Sequence, residues 1–281
     1  MRDFLGFFAL AAVALVTGCA DQSGQSSSGS GLDRVTQSRT IRAAYINYPP
    51  SFIVDPNTKA KTGIMSDVMT AAAKSMDVKL DYSQETGWAT MIDLLDSGKA
   101  DVVVSGIWPS SARALRADFS KVVYFSPIHA YTKAGNAAFD GELAKANAAS
   151  VRIAAIDGEL SAIVAKSDYP KAKALALPQQ TDVSQLLLQL TAGKAVITFV
   201  EPAIADEFLA KNPSSIRRVE GVAPVRIFPN TFLFKKGDYG LRDAVNIAIT
   251  ELQNSGEVAK VVRQYDPKGT HFTLPVLPVA P

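Results

Sequence analysis

Apolar positions along this chain fall into two alternating rhythms, short solid runs and spaced repeats. The run at 41–45 is closed by Asn47, Tyr48, Pro49 and Pro50, so a strand followed by a loop is expected there. Val68, Met69, Ala72, Ala73 and Met76 recur at helical spacing behind Ser66 or Asp67, either of them a suitable cap. Trp88, Met91, Ile92 and Leu95 keep the i, i+3, i+4, i+7 spacing, with Gly98 placed to stop the helix. The valines at 102–104 then suit a strand covered on both faces.

The pattern returns. Val183, Leu186, Leu187, Leu190, Gly193, Lys194 and Ala195 repeat the roles of Trp88, Met91, Ile92, Leu95, Gly98, Lys99 and Ala100 at an offset of 95. An apolar run at 196–200 follows, and the run at 151–156 opens the second copy as 41–45 opens the first. Two βαβ lobes are the economical reading, an α/β fold. In open parallel sheets ligands bind beyond the carboxyl ends of the strands, where helix N-termini and loop amides converge. The segments at those ends are 48–52, 106–113, 157–161 and Glu201. Lobes that face each other would line one cleft with all four.

Composition narrows the function classes. The 281 residues are 47% hydrophobic and 20% charged, enough to bury a core. Lys and Arg number 29 against 27 Asp and Glu, and a net charge of +2 gives no basic field to hold nucleic acid. One cysteine, Cys19, excludes an internal disulfide and a multi-cysteine zinc site. Two distant histidines, His129 and His271, leave little for a metal centre, so neither metal nor cofactor is expected.

Arg2 precedes an apolar run at 4–16 that is too short for a membrane span and ordered like a secretory leader. Its end, Val16-Thr17-Gly18-Cys19, resembles the lipobox of bacterial lipoproteins. That resemblance implies removal of residues 1–18 and a lipid on Cys19; a plain leader with an incidental cysteine is the alternative. The Gly, Ser and Gln residues at 20–31 suit a tether, and a flexible linker is expected over 19–37. The folded part would stand outside the cytoplasm, periplasmic or extracytoplasmic, anchored to a membrane.

Beyond the tether the chain resembles the bacterial extracellular solute-binding proteins of polar amino-acid ABC transporters, from about Leu32 to Asp266. The markers are residues 41–44 with Tyr48, Pro49, Pro50, Ser51 and Phe52, then Thr62-Gly63-Ile64-Met65-Ser66-Asp67, then Gly87-Trp88. Residues 97–106, Arg113 ahead of Ala117-Asp118-Phe119-Ser120, and a tail from Phe234-Lys235-Lys236-Gly237-Asp238 to Tyr265 complete them. Each piece is weak alone; their order and spacing are specific. The resemblance implies two Rossmann-like lobes with a hinge, the periplasmic binding protein-like II fold. One lobe would take residues 38–132 plus 226–281 and the other residues 133–225. It also implies an ABC transporter permease as partner, a small solute as ligand and a monomer that closes around it.

Carried over residue by residue, the resemblance places Arg113 on the ligand carboxylate, where its planar fork gives two parallel charge-assisted hydrogen bonds. Read alone, Arg113 is equally a surface arginine near Arg116. Glu201 falls on the acid that takes the ligand ammonium; its bland alternative is a strand-end acid before Pro202. Trp88 falls on a ligand-stacking aromatic, with Tyr48 and Phe52 as the opposing wall, although both Trp88 and Phe52 suit a core equally well. Gly106 would let backbone approach the ligand, and Ser161 would cap a helix and donate to the ligand.

The chain also departs from the family. Trp108 and Pro109 stand where a small hydroxyl residue is usual, and proline has no N–H to donate. Glu159 brings a negative charge where the family often has a donor, or is simply an acid at a helix N-terminus stabilised by the dipole, and Met65 replaces an acid.

The leading expectation is a lipid-anchored receptor delivering an amino acid or related small carboxylate to an importer, with no catalytic residues. A cyclohexadienyl dehydratase-like enzyme on the same scaffold, with Glu201 or Glu159 as general acid, is the alternative, and a sensory or partner-binding module is a third.

Overall fold

The computed structural model describes residues 30–276; the expected leader at 1–18 and the lipid site Cys19 lie outside them. The chain starts with helix α1 (Gly31–Ser38), strand β1 (Thr40–Tyr45), the short pair β2 (Ile53–Val54) and β3 (Lys61–Thr62), and helix α2 (Ile64–Ser75). Next come β4 (Lys79–Glu85), α3 (Met91–Asp96), β5 (Val102–Ile107), the single turn α4 (Ser111–Ala114), β6 (Ala117–Phe119) and the long β7 (Tyr124–Lys133). The second lobe holds β8 (Arg152–Ile156), α5 (Leu160–Asp168), β9 (Lys173–Leu177), α6 (Ser184–Thr191), β10 (Thr198–Val200), α7 (Pro202–Lys211) and β11 (Ile216–Arg218). The long β12 (Arg226–Lys235) leads back to α8 (Tyr239–Asn254) and α9 (Glu257–Tyr265).

In the first lobe β1 lies parallel between β4 and β5, and β12 adds antiparallel beside β5. In the second, β8 and β9 pair in parallel, and a parallel bridge from Ile153 to Ile197 carries β8 towards β10. Strands β7 and β12 join the lobes. The first half of β7 pairs with β12, from Ile128↔Arg226 to Tyr124↔Asn230, and its second half pairs with β10 and β11. Two antiparallel strands crossing together make a ribbon that can bend while its ladder stays intact, which is what a hinge requires.

All six residues of β5 are buried, as the valine run predicts. Val102 and Val104 face the cluster under α2 and α8, whereas Val103 and Ile107 face the cluster that runs on into the second lobe. Period-two alternation thus assigns one strand to two cores.

Two local expectations are corrected. Helix α1 occupies the end of the segment expected as linker. Ser30 and Asp33 form a reciprocal capping box, and Arg34 and Arg42 both reach the buried carboxylate of Asp101, which also accepts the Arg42 amide at 2.7 Å. Arg34 docks α1 on the carboxylate that Arg42 of β1 also holds, so residues 31–37 are helix. Helix α2 begins at Ile64, ahead of both Ser66 and Asp67. Its first amides, Ile64 N and Met65 N, donate to the Pro50 and Ser51 carbonyls, so a tertiary partner replaces the side-chain cap. Among the described residues no helix is long and apolar enough to cross a membrane.

Candidate functional site

The four strand-end segments meet between the lobes. At the end of β5, Ser110 caps α4 by accepting the Arg113 amide at 3.3 Å, which orients the Arg113 side chain towards the second lobe. Its Nη1 donates to the Trp108 carbonyl at 3.1 Å and its Nη2 crosses to the Gly158 carbonyl at 2.8 Å. Burial lowers the Arg113 guanidinium pKa, with the charge of Glu159 working the other way. Both ends of the fork expected to hold a ligand carboxylate therefore rest on backbone carbonyls.

Glu159 is the cap of α5 and is 1% exposed. Its carboxylate accepts from the Ser161 amide at 2.7 Å, from the Ser161 hydroxyl, and from the Tyr48 hydroxyl across the cleft at 3.3 Å. The structure thus selects between the two readings of Glu159 and corrects that of Ser161 as the cap. Glu159 caps the helix, and Ser161, buried, spends its hydroxyl on Glu159 and on the Ile156 amide at 3.0 Å. Burial pushes Glu159 up to about 7 despite the Ser161 hydrogen bonds.

Glu201 sits at the start of α7, one residue beyond β10, and is also 1% exposed. Neither carboxylate oxygen has a hydrogen-bond partner. Burial pushes it up to about 7; the Ser126 hydroxyl offsets part of that push without reaching hydrogen-bonding geometry, and the charge of Glu159 adds to it. Tyr48 and Tyr124, fully buried beside these acids, are raised well above the ordinary tyrosine range, by burial first and then by the charge of Glu201.

The apolar wall is a set of packed rings. Trp108 lies 6.1 Å from Trp88 in a near-parallel stack and 4.9 Å from Phe228 on its other side. Tyr48 meets both tryptophans edge-on, at 5.4 and 6.0 Å. Trp108 donates its indole N–H to Asn230 Oδ1 at 3.1 Å, and Asn230 in turn donates to the Ser126 hydroxyl at 2.7 Å. Phe52 is elsewhere. It stacks on Tyr45 at 4.9 Å and meets Tyr82 edge-on, inside the first lobe's own core, so its ring is no part of this wall. Tyr48 and Phe52 pair backbone to backbone at an isolated bridge, yet their rings fall in different clusters, that of Phe52 packing on Tyr45 and Tyr82.

Gly106 is a point of close approach. A Cβ there would lie 2.5 Å from Asn230 Oδ1 and 2.5 Å from Ser51 Oγ. Gly106→Ala is therefore expected to cost about 1–3 kcal/mol by overpacking, read as a lower thermal midpoint. An unchanged midpoint would mean that Ser51 and Asn230 yield without cost. Gly158, at φ +75°, brings its backbone against Trp88, where a Cβ would stand 3.1 Å from the Trp88 Cβ. The space left between the lobes beside Tyr48, Trp88 and Glu159 is small, about 60 Å³.

The sequence did not point to Tyr124, Ser126, Phe228 or Asn230. The available signal was a polar residue inside an apolar strand, Asn230 in β12 and Ser126 in β7, since a buried strand keeps a polar side chain only where it has a partner.

Residues 41–268 match the bacterial extracellular solute-binding proteins, family 3. The chain belongs to that family. Among its relatives, the L-cystine-binding protein TcyA of Bacillus subtilis (strain 168) is 26% identical over 223 residues, covering 78% of this chain and 77% of the relative. The arginine-binding extracellular protein ArtP of the same organism is 21% identical, covering 69% and 74%. Among solved structures, the ancestral amino acid-binding protein AncCDT-1, a precursor of cyclohexadienyl dehydratase, superposes with a TM-score of 0.73 at 25% identity, covering 84% of this chain and 99% of that one. An amino acid ABC transporter substrate-binding protein from Streptococcus pneumoniae, bound to L-arginine, gives 0.72 at 21% identity, covering 88% and 100%. The type II periplasmic binding fold is thereby shown, and the relatives in this solute-binding family are named as binding proteins.

Proposed function

We propose that this family 3 protein is the extracytoplasmic receptor of an ABC importer, held to a membrane by a lipid on Cys19, and that it carries a small nitrogen-bearing solute of amino-acid type between its lobes to the permease. The observation that supports this most directly is Glu201. A buried carboxylate with no partner, at the carboxyl end of a parallel strand and facing a second lobe, is costly to folding and suited to a cationic group. Arg113, which joins the lobes through Gly158, provides a contact that forms only when they approach.

The test is thermal unfolding of protein freed of carried-over solute by unfolding and refolding, against amino acids, their derivatives and other small solutes. A solute at about a hundred times its Kd should stabilise by roughly 2.7 kcal/mol, and Arg113→Ala should reduce that gain by weakening closure. No shift with any solute counts against the receptor.

A second reading, an enzyme resembling cyclohexadienyl dehydratase, draws support from the two buried acids near 7, since a carboxylic acid still protonated at neutral pH can serve as a general acid. It requires turnover of prephenate or arogenate. Binding without turnover favours the receptor.

A further inference from the structure

The segment after α9 makes contacts that belong neither to the cleft nor to one lobe alone. Asp266, buried at the end of α9, turns the chain by accepting the Thr270, His271 and Phe272 amides at 3.1, 2.8 and 3.1 Å. Thr273 then pairs with Phe125 near the start of β7, the two residues exchanging both backbone hydrogen bonds, at 2.7 and 3.0 Å. Hydrogen-bonding direction alternates along a strand, so this pair lies on the edge of β7 that β10 takes from His129 onward. The tail of the first lobe and a strand of the second thus share one edge of the hinge strand. Phe272 meets the Tyr124 ring edge-on at 5.0 Å, which fixes the tail on the first lobe's core.

His271 reaches the other way. Its Nε2 lies 2.9 Å from Asp206 Oδ2 on α7 of the second lobe. Its Nδ1 is buried without a hydrogen-bond partner, 3.5 Å from Asp266 Oδ1. The imidazole therefore stands between two carboxylates, one from each lobe. A neutral imidazole has one N–H and serves only one of them, turning a lone pair on the other, whereas an imidazolium donates to both. Burial works to raise the Asp266 carboxyl, but the three amides outweigh it and hold it below the ordinary carboxylate range. Tyr131 of β7, near Asp206, is raised by burial first and then by that charge, so it stays neutral, with Arg218 of β11 beside it. Glu201 heads α7 and acts on Tyr124, the ring under Phe272.

We infer that residues 266–273 form a strap across the hinge and that His271 is its proton-dependent pin: charged, it ties Asp266 of the first lobe to Asp206 of the second and favours the approached lobes; neutral, it gives up one of the two. This goes beyond the receptor reading and does not depend on which solute is carried. His271 is a positioning residue. It acts on α7, the helix that Glu201 begins, and through it on the approach of the lobes.

The experiment compares the refolded, solute-free protein with His271→Gln, Asp206→Asn and the double variant, each checked by circular dichroism. Histidine changes charge between pH 5 and 8, so measurements are made at pH 5.5 and 8.5. Urea unfolding of the four proteins gives the coupling between His271 and Asp206 as a factor in the unfolding equilibrium constant. A charged pin makes that factor about three-fold or more larger at pH 5.5 than at pH 8.5, whereas a contact that is merely structural gives the same factor at both. Small-angle X-ray scattering at the same two pH values reads the lobes. The parent is expected to be more compact at pH 5.5, and both single variants to lose part of that change, the remainder belonging to Glu159 and Glu201, which titrate in the same window. Equal coupling at the two pH values overturns the pin. Coupling that depends on pH, together with the same scattering change in parent and variants, overturns the strap's hold on the lobes. Either failure leaves the receptor reading standing, because neither measurement involves a solute.

Discussion

Trp108→Ala is expected to destabilise the protein by about 3–5 kcal/mol, the range for removing a large buried aromatic ring. The ring is 1% exposed and held from three directions, between Trp88 and Phe228 and against the edge of Tyr48. Loss of the indole also removes the hydrogen bond to Asn230 Oδ1. Neighbours can fill the gap only in part, because Trp88 is fixed by Gly158 from the other lobe and Tyr48 by Glu159. Urea unfolding followed by circular dichroism measures the cost, and Trp108→Phe separates the ring from its N–H by keeping most of the area. A loss below about 1 kcal/mol would show that the cleft collapses freely around the missing ring.

Stability should fall as the pH rises from about 4.5 to 7, the reverse of the usual behaviour of carboxylates. Glu159 and Glu201 are both pushed by burial from 4.5 to about 7 in the folded protein. Within that window the folded state keeps protons that the unfolded chain has released, so the contribution is complete below 4.5 and lost as the pH passes through 7. Each acid accounts for about 3 kcal/mol if it titrates independently. Asp118 and Asp266 behave oppositely. Hydrogen bonds, including those from the Gly237 and His271 amides, outweigh their burial and hold them below the ordinary range, so their share is lost only at more acid pH.

Urea midpoints at pH 5, 6, 7 and 8 give the profile. Glu201→Gln should flatten it and be more stable than the parent at pH 8. A parent profile that is level or rising across this window would mean that water reaches both acids. An ammonium solute binds the ionised carboxylate, so it should restore at pH 8 much of what deprotonation removes.

Much of the architecture was readable in the chain because it depends on local periodicity. The runs at 41–45, 102–104, 151–156 and 196–200 became β1, β5, β8 and β10, and the two copies offset by 95 became α3 with β5 and α6 with β10. Helix starts were read less well. That of α2 depends on the Pro50 and Ser51 carbonyls, which cannot be seen from the helix's own residues, whereas that of α1 is marked locally by the Ser30–Asp33 capping box and only its docking rests on Asp101.

The candidate site divides the same way. Strand ends identified Tyr48, Gly106, Trp108, Arg113 and Glu201 as neighbours, because a parallel strand presents its carboxyl end to the cleft whatever the details of packing. Phe52 was misplaced, since a loop residue can turn either way and only the stack on Tyr45 decides it. Ser161 was read as the cap of α5, a part that Glu159 takes while Ser161 donates to it.

The sequence by itself determined the order of elements, the two-lobe α/β plan and the family, because hydrophobic spacing, turn residues and ordered motifs are properties of the chain taken in line. Only the tertiary structure decided which polar groups are satisfied. Arg113 engages Gly158, Tyr48 engages Glu159 and Trp108 engages Asn230, partners 45, 111 and 122 positions apart. Glu201 is left without a partner by the same docking. Whether a charge is paired or orphaned depends on what the other lobe brings to within about 3 Å, and spacing along the chain does not encode that distance.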